Sequence, residues 1–184
     1  MGLLMVPGSL ALEIELAHGS EREAATGALL ERFVEEYDLE ERIFTERVVI
    51  DERAIPHSHP VLTLHTRHLD EPEYLLSTFV HEQLHWFFSG KPDATTGAAK
   101  ARLRELFPEL AGLRPPEGAR DLDSTFLHVM VCYLEWQAMR ELLGDERARD
   151  LMEGWTHYTA IYRAVLDRGP EIERVLEELG LRRP

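Results

Sequence analysis

Two histidines and a glutamate lie within one short stretch, His81-Glu82-Gln83-Leu84-His85. Residues four apart on a helix lie on the same face, so both imidazoles can reach a single metal ion. A glutamate directly after the first histidine is placed to take a proton from a zinc-bound water. Apolar flanks at residues 75–80 and 86–88 favour a buried site over a solvated helix face. The stretch therefore predicts a zinc-binding helix, with His81 and His85 as ligands and Glu82 as general base.

A third ligand has to come from elsewhere, because catalytic zinc usually takes three protein ligands and keeps one position for water. The predicted helix at residues 125–143 is apolar almost all round, and its polar exceptions are His128 and Glu135. We expect Glu135 to be the ligand, because a buried carboxylate must be paired, protonated or bound to metal. His128 is the alternative ligand; otherwise it lies beside the metal or faces the substrate. Glu135 could instead form a buried ion pair with Arg140 or Arg163.

The pattern His81-Glu82-Gln83-Leu84-His85, followed by a glutamate on a later helix, resembles the zincin superfamily of zinc metallopeptidases. Within it, the glutamate-liganded gluzincin branch is the most similar. The resemblance implies that His81, His85 and Glu135 hold zinc. It also implies that Glu82 first accepts a proton from water and then passes it to the leaving group.

Zincins also contain a histidine or tyrosine that stabilises the oxyanion of the tetrahedral intermediate. By that resemblance His157 and Tyr158 are the catalytic candidates, and His157 or His128 could serve instead of Tyr158. The run at residues 61–66 is similar in placement to the zincin edge strand that lies along the cleft and pairs with extended substrate. We therefore expect the cleft between this strand and the motif helix.

Four of the five histidines that come before the motif lie within residues 57–68, and they invite a second metal site: His57, His59, His65 and His68. Histidines in turns near prolines are usually exposed, so no second site is expected there.

The hydrophobic pattern predicts an α+β fold, with a small antiparallel or mixed sheet packed against a mostly helical body and the motif helix central. Ser20 and Glu23 form a capping-box pattern, Asp70 is the expected N-cap of the motif helix, and Asp123 or Ser124 that of the later buried helix. Residues 108–120 are expected to form a loop. Strands are predicted at residues 10–16, 46–51 and 60–66, and helices at residues 20–37, 70–88, 93–107, 125–143, 145–153, 155–166 and 171–179.

Length and charge narrow the class of protein. With 184 residues, one domain over 1–184 is the simplest expectation. The net charge of −14 is spread along the chain, which argues against nucleic acid or an anionic membrane as partner. Cys132 is the single cysteine, so an intramolecular disulfide is excluded. The N-terminus lacks a basic export signal and no run reaches the length of a membrane span, so we expect a soluble cytoplasmic protein.

Together these features predict a zinc-dependent hydrolase, a metallopeptidase that cleaves an amide bond in a peptide or protein substrate. The alternative is a zinc-bound but non-hydrolytic binding or regulatory module built on the same core. A third interpretation has no metal, with His81, His85 and Glu135 in a buried hydrogen-bond network. Three protein ligands plus water would indicate catalysis, whereas four protein ligands would indicate a structural site.

Overall fold

The computed structural model describes residues 12–182 and divides the chain into two compact units, one ending at Thr78 and the other beginning at Phe79. The boundary falls inside a continuous helix, and the expectation of a single domain stays a prediction. Within residues 12–182, no helix is both long and apolar enough to cross a membrane. The fold is α+β and mostly helical, as expected.

The first unit begins with strand β1 (Glu13–Leu16) and helix α1 (Glu21–Glu36). Residues 1–11, which include the start of the strand predicted at residues 10–16, lie outside the described part. The capping box is confirmed: the Ser20 hydroxyl accepts the Glu23 N–H, and the Glu23 carboxylate accepts the Ser20 N–H. The same carboxylate accepts the N–H groups of His18 and Glu52, which ties the start of α1 to the segments after β1 and after the next strand.

The sheet contains β1, β2 (Arg47–Ile50) and β3 (Leu62–Leu64) in that order, and both pairings are parallel. The expected antiparallel or mixed sheet is therefore wrong. Helix α1 and a short 3₁₀ helix (Glu40–Arg42) connect β1 to β2, and a crossover of this kind brings the chain back in the same direction.

The connection from β2 to β3 explains why the second pairing in the sheet is also parallel. It is not a hairpin turn, because the chain folds back on itself after Pro56 and an isolated antiparallel bridge pairs His57 with Thr63. The two residues exchange both backbone hydrogen bonds, at 3.1 and 2.8 Å. At Thr63, therefore, the outer edge of β3 pairs with its own chain.

Helix α2 (Pro72–Ser89) contains the histidine motif, which belongs to the second unit. Asp70 is not its N-cap. The helix begins at Pro72, and the carbonyl of Glu71 accepts the N–H groups of Tyr74 and Leu75, so Glu71 occupies the cap position. Proline suits the first helical position because its missing N–H has no partner there anyway.

The second unit is built around α4 (Leu122–Leu143), which packs against α3 (Asp93–Leu106), α5 (Asp145–Gly154) and α6 (Thr159–Glu178). Residues 108–120 form the predicted connection, which contains a 3₁₀ helix (Pro108–Leu110). The central, buried position expected for α4 is confirmed. Its N-cap is Asp121 rather than Asp123 or Ser124, because the Asp121 carboxylate accepts the Ser124 N–H at 2.7 Å.

The segment α6 consists of two helices that meet at a kink, and this break between the helices predicted at residues 155–166 and 171–179 is confirmed. The kink lies at Arg168, whose dihedral angles are not helical, two residues before Pro170. The start differs from the prediction, because the first helix begins only at Thr159, after Tyr158 adopts a left-handed conformation with φ of 53°. His157 and Tyr158 therefore lie in the turn before α6 and not on a helix face.

Candidate metal centre

Helix α2 places the two motif histidines together, as their spacing predicts. The ring centroids of His81 and His85 are 5.1 Å apart. His81 and Glu82 are buried, and His85 is half-buried. The helix therefore presents a pair of imidazoles with an acid beside them.

Helix α4 adds His128 to this pair. Its ring centroid lies 5.5 Å from that of His81 and 4.9 Å from that of His85. One ligand nitrogen from each of the three histidines lies within 4.8 Å of the other two. The three imidazoles thus form a compact cluster, which we call the three-histidine cluster.

Glu135 lies on another side of His81. The Nδ1–H group of His81 donates to Glu135 Oε2 at 2.8 Å, and Glu135 is completely buried. Arg140, one of the ion-pair partners considered from sequence, bonds Asp145 and Gln137 instead, and Arg163 is exposed. The carboxylate expected as third ligand therefore contacts a ring nitrogen of a motif histidine.

These hydrogen bonds determine which nitrogen of each histidine is available to a metal. A carboxylate and a carbonyl only accept, so the Nδ1 atoms that contact them carry the protons. His81 donates from Nδ1 to Glu135, and His128 donates from Nδ1 to the Ser124 carbonyl at 2.7 Å. Nε2 is then the ligand atom left on each ring, and the donor set fits zinc, which imidazole nitrogens commonly bind.

The pKa values of His81 and His128 shift in opposite directions. Burial alone lowers the pKa of His81, but the charge of Glu135 and hydrogen bonds with Cys132 and Glu135 outweigh it and raise that pKa well above 6.5. Burial, followed by the charge of His81, lowers the pKa of His128 to about 3. The raised pKa of His81 reflects how strongly Glu135 favours a positive charge on this ring.

A second buried cluster lies behind His81. Cys132, Glu135 and Tyr162 are at most 2% exposed, and the Tyr162 hydroxyl donates to Glu135 Oε2 at 2.9 Å. Cys132 is hydrogen-bonded to both His81 and Tyr162, and burial raises the pKa of its thiol. His81, Cys132 and Glu135 also bring three possible metal donors within 4.8 Å of one another.

The structure brings Tyr158 to the cluster but gives His157 other neighbours. The Tyr158 ring lies 4.2 Å from that of His128 and stacks at 6.1 Å on that of His81. Burial raises the pKa of the Tyr158 hydroxyl. The charge of His81 lowers this pKa, whereas the charge of Glu82 raises it further. His157 is exposed and packs against Trp155, Tyr158 and Tyr162.

In the described residues, His57, His59, His65 and His68 are not among the groups whose metal donors lie close together. His65 and His68 lie 4.9 Å apart, and His68 stacks on Tyr74. A different group, His18, Glu23 and Asp51, brings possible donors together. Its glutamate is the capping-box residue of α1, so hydrogen bonding at the helix start accounts for its position.

Comparison of the chain with protein-family models, with curated proteins and with solved structures finds no match. The interpretation of the cluster therefore depends on its own residues.

Sequence reasoning did not single out Tyr162 or the Ser124 carbonyl as parts of the site. A signal for Tyr162 was present, because a tyrosine among the apolar positions of α6 needs a partner for its hydroxyl when it is buried. The Ser124 carbonyl is a backbone group, so no residue type pointed to it.

Proposed function

We propose that this protein is a zinc-dependent hydrolase in which His81, His85 and His128 hold the metal and Glu82 is the general base. The observation that carries the proposal is the convergence of three imidazoles, two of which donate Nδ1–H to a fixed acceptor. Three histidine ligands leave one tetrahedral position for water, which is the arrangement of catalytic zinc sites. The presence of Glu82 beside His81 supports catalysis over a purely structural role.

His128 replaces Glu135 as the proposed third ligand. The Glu135 carboxylate is hydrogen-bonded to His81 Nδ1, a partner that fixes the ring and leaves Nε2 for the metal. The gluzincin-like ligand set expected from sequence becomes a three-histidine set with an orienting glutamate. The likeness to zincins then rests on the motif alone.

The proposed substrate is an amide bond in a peptide or protein. Zinc, when bound, polarises the carbonyl and lowers the pKa of the attacking water. Glu82 takes the proton from that water and delivers it to the leaving amine. The Tyr158 hydroxyl, which burial keeps protonated, donates a hydrogen bond to the oxyanion.

The test compares Glu82→Gln with wild type for bound zinc and for cleavage of a fluorogenic peptide library. Glutamine has nearly the size of glutamate but cannot accept the proton, so zinc should remain and hydrolysis should be lost. Glu141→Gln, at an exposed position of α4, is the matched control and should keep full activity. Full activity in Glu82→Gln would refute the mechanism, and zinc binding without hydrolysis in wild type would favour the non-hydrolytic module.

A further inference from the structure

One oxygen of Glu135 accepts two hydrogen bonds. Oε2 lies 2.8 Å from His81 Nδ1 and 2.9 Å from the Tyr162 hydroxyl. Glu135 is fully buried, and Tyr162 is 2% exposed. Tyr162 is thereby connected to a proposed zinc ligand through a single carboxylate.

We propose that Tyr162 is a positioning residue for the metal centre, whose hydroxyl holds the Glu135 carboxylate against His81 and so increases the affinity of the three-histidine cluster for zinc. The inference rests on the proposed function, because it requires that the cluster binds zinc. It assigns a role in metal binding to a residue of α6 that does not touch the metal.

The first turn of α6 places this tyrosine. The Tyr162 N–H donates to the Tyr158 carbonyl at 2.9 Å, so the first backbone hydrogen bond of α6 joins Tyr162 to the residue at the N-cap position. The Tyr158 ring packs against His128, and the Tyr162 hydroxyl reaches Glu135. One helical turn therefore supports two sides of the cluster.

Cys132, on α4, belongs to the same buried group. It is completely buried, and its sulfur lies within 4.8 Å of a ring nitrogen of His81 and of a carboxylate oxygen of Glu135. The Tyr162 hydroxyl thus lies among groups that cannot exchange their partners for bulk water, and buried polar networks of this kind hold their geometry tightly. The carboxylate has little freedom to rotate while Tyr162 is in place.

The expected effect follows from what a cation does to an imidazole. A metal at Nε2 withdraws electron density from the ring and makes the Nδ1–H group a stronger donor, so the bond to Glu135 strengthens when zinc is bound. A carboxylate released from Tyr162 can turn away from His81, and part of that strengthening is lost. Removing the hydroxyl should therefore weaken zinc binding more than it changes the metal-free fold.

The experiment measures the zinc dissociation constant of the full chain by competition with a chromogenic chelator. Tyr162→Phe should weaken binding by about 3- to 10-fold, the effect of losing one hydrogen bond next to a ligand. The matched control is Tyr133→Phe, since Tyr133 is also buried and its hydroxyl accepts from Gln137. The control should change zinc affinity by less than about twofold, because its partner does not contact a histidine of the cluster.

A double-mutant cycle identifies the route of the effect. In a Glu135→Leu background, Tyr162→Phe should change zinc affinity by less than about twofold, because the oxygen through which the hydroxyl acts is gone. An undiminished effect in that background, or equal affinities for Tyr162→Phe and Tyr133→Phe, would overturn the inference while leaving the zinc site intact. Absence of zinc binding in wild type would instead overturn the proposed function and this inference together.

A second variant covers the case in which Tyr162→Phe does not fold. Site-specific 3-fluorotyrosine at position 162 keeps the ring and the hydroxyl but makes the hydroxyl a stronger donor. It should shift the proton resonance of His81 Nδ1–H and change zinc affinity by more than about twofold. If both remain unchanged, Tyr162 does not act on His81 through Glu135.

Discussion

Replacing the two competing ligands one at a time gives a direct ranking of His128 against Glu135. His128→Gln removes an imidazole whose ligand nitrogen lies within 4.8 Å of those of His81 and His85. Glu135→Gln keeps an oxygen that can accept from His81 Nδ1 but removes the negative charge. We predict that His128→Gln weakens zinc binding much more than Glu135→Gln does.

The smaller effect, that of Glu135→Gln on zinc affinity, can be derived from the hydrogen bond between Glu135 and His81. A distance of 2.8 Å between Glu135 Oε2 and His81 Nδ1 is typical of a charge-assisted bond. Such a bond contributes about 1.5–3 kcal/mol, against about 0.5–1.5 kcal/mol for a neutral one. Because the bond is also present without metal, the difference of about 1–1.5 kcal/mol is an upper limit, so the dissociation constant should rise by at most about tenfold.

The larger effect, that of His128→Gln on zinc affinity, comes from the loss of a ligand. Changes in groups that only support a ligand cost about 10- to 100-fold in metal affinity, so His128→Gln should cost more than about 100-fold. The assay is chelator competition with zinc, together with the visible absorption of the cobalt-substituted protein. His59→Gln is the control, because His59 is exposed and its Nδ1 contacts the Ser58 hydroxyl rather than a residue of the cluster. A greater loss in Glu135→Gln than in His128→Gln would refute the three-histidine assignment.

Three further outcomes follow from the structure. Tyr158→Phe should lower kcat about 100-fold while zinc affinity stays nearly constant, because only the hydroxyl is lost; an unchanged kcat would remove Tyr158 from the mechanism. Ser20→Ala should lower the free energy of unfolding by about 1 kcal/mol in urea titrations, since the hydroxyl caps α1; a neutral effect would contradict that cap. The backbone hydrogen bond from Ser124 lowers the pKa of Asp121 below its ordinary 3.8, so its stabilising effect is present above pH 3.8 and is lost as the pH falls further. The stability difference between wild type and Asp121→Asn should therefore shrink in acid, and a constant difference from pH 2 to 6 would contradict this.

The pair on α2 could be predicted from sequence because helical spacing alone places His81 and His85 on one face. The positions of β2, β3 and α1 followed equally well from local patterns of apolar and capping residues. Strand direction did not, because it depends on how residues 51–61 fold back, and the His57–Thr63 bridge joins residues with no distinctive pairing pattern.

The relation between His128 and Glu135 could have been worked out further from sequence. Seven residues of helix rise about 10.5 Å, too far for both side chains to reach one ion from the same helix easily. One of the two therefore had to contact something other than the metal. Which of them does so depends on the packing of α2 against α4, which no local pattern encodes.

The turn before α6 was also beyond local reasoning. The apolar spacing of residues 155–166 is that of a helix, yet the left-handed conformation of Tyr158 delays the start of α6 to Thr159. Such a conformation in a non-glycine residue carries strain that the surrounding packing has to compensate. Its position against His128 accords with a role at the site.

Anomalous diffraction at the zinc edge, from crystals of protein purified with zinc, would locate the metal relative to every candidate ligand. We expect a single strong peak at bonding distance from Nε2 of His81, His85 and His128, with the Glu135 carboxylate still on His81 Nδ1. A peak bound by Glu135 and Cys132, or no peak at all, would contradict the three-histidine assignment.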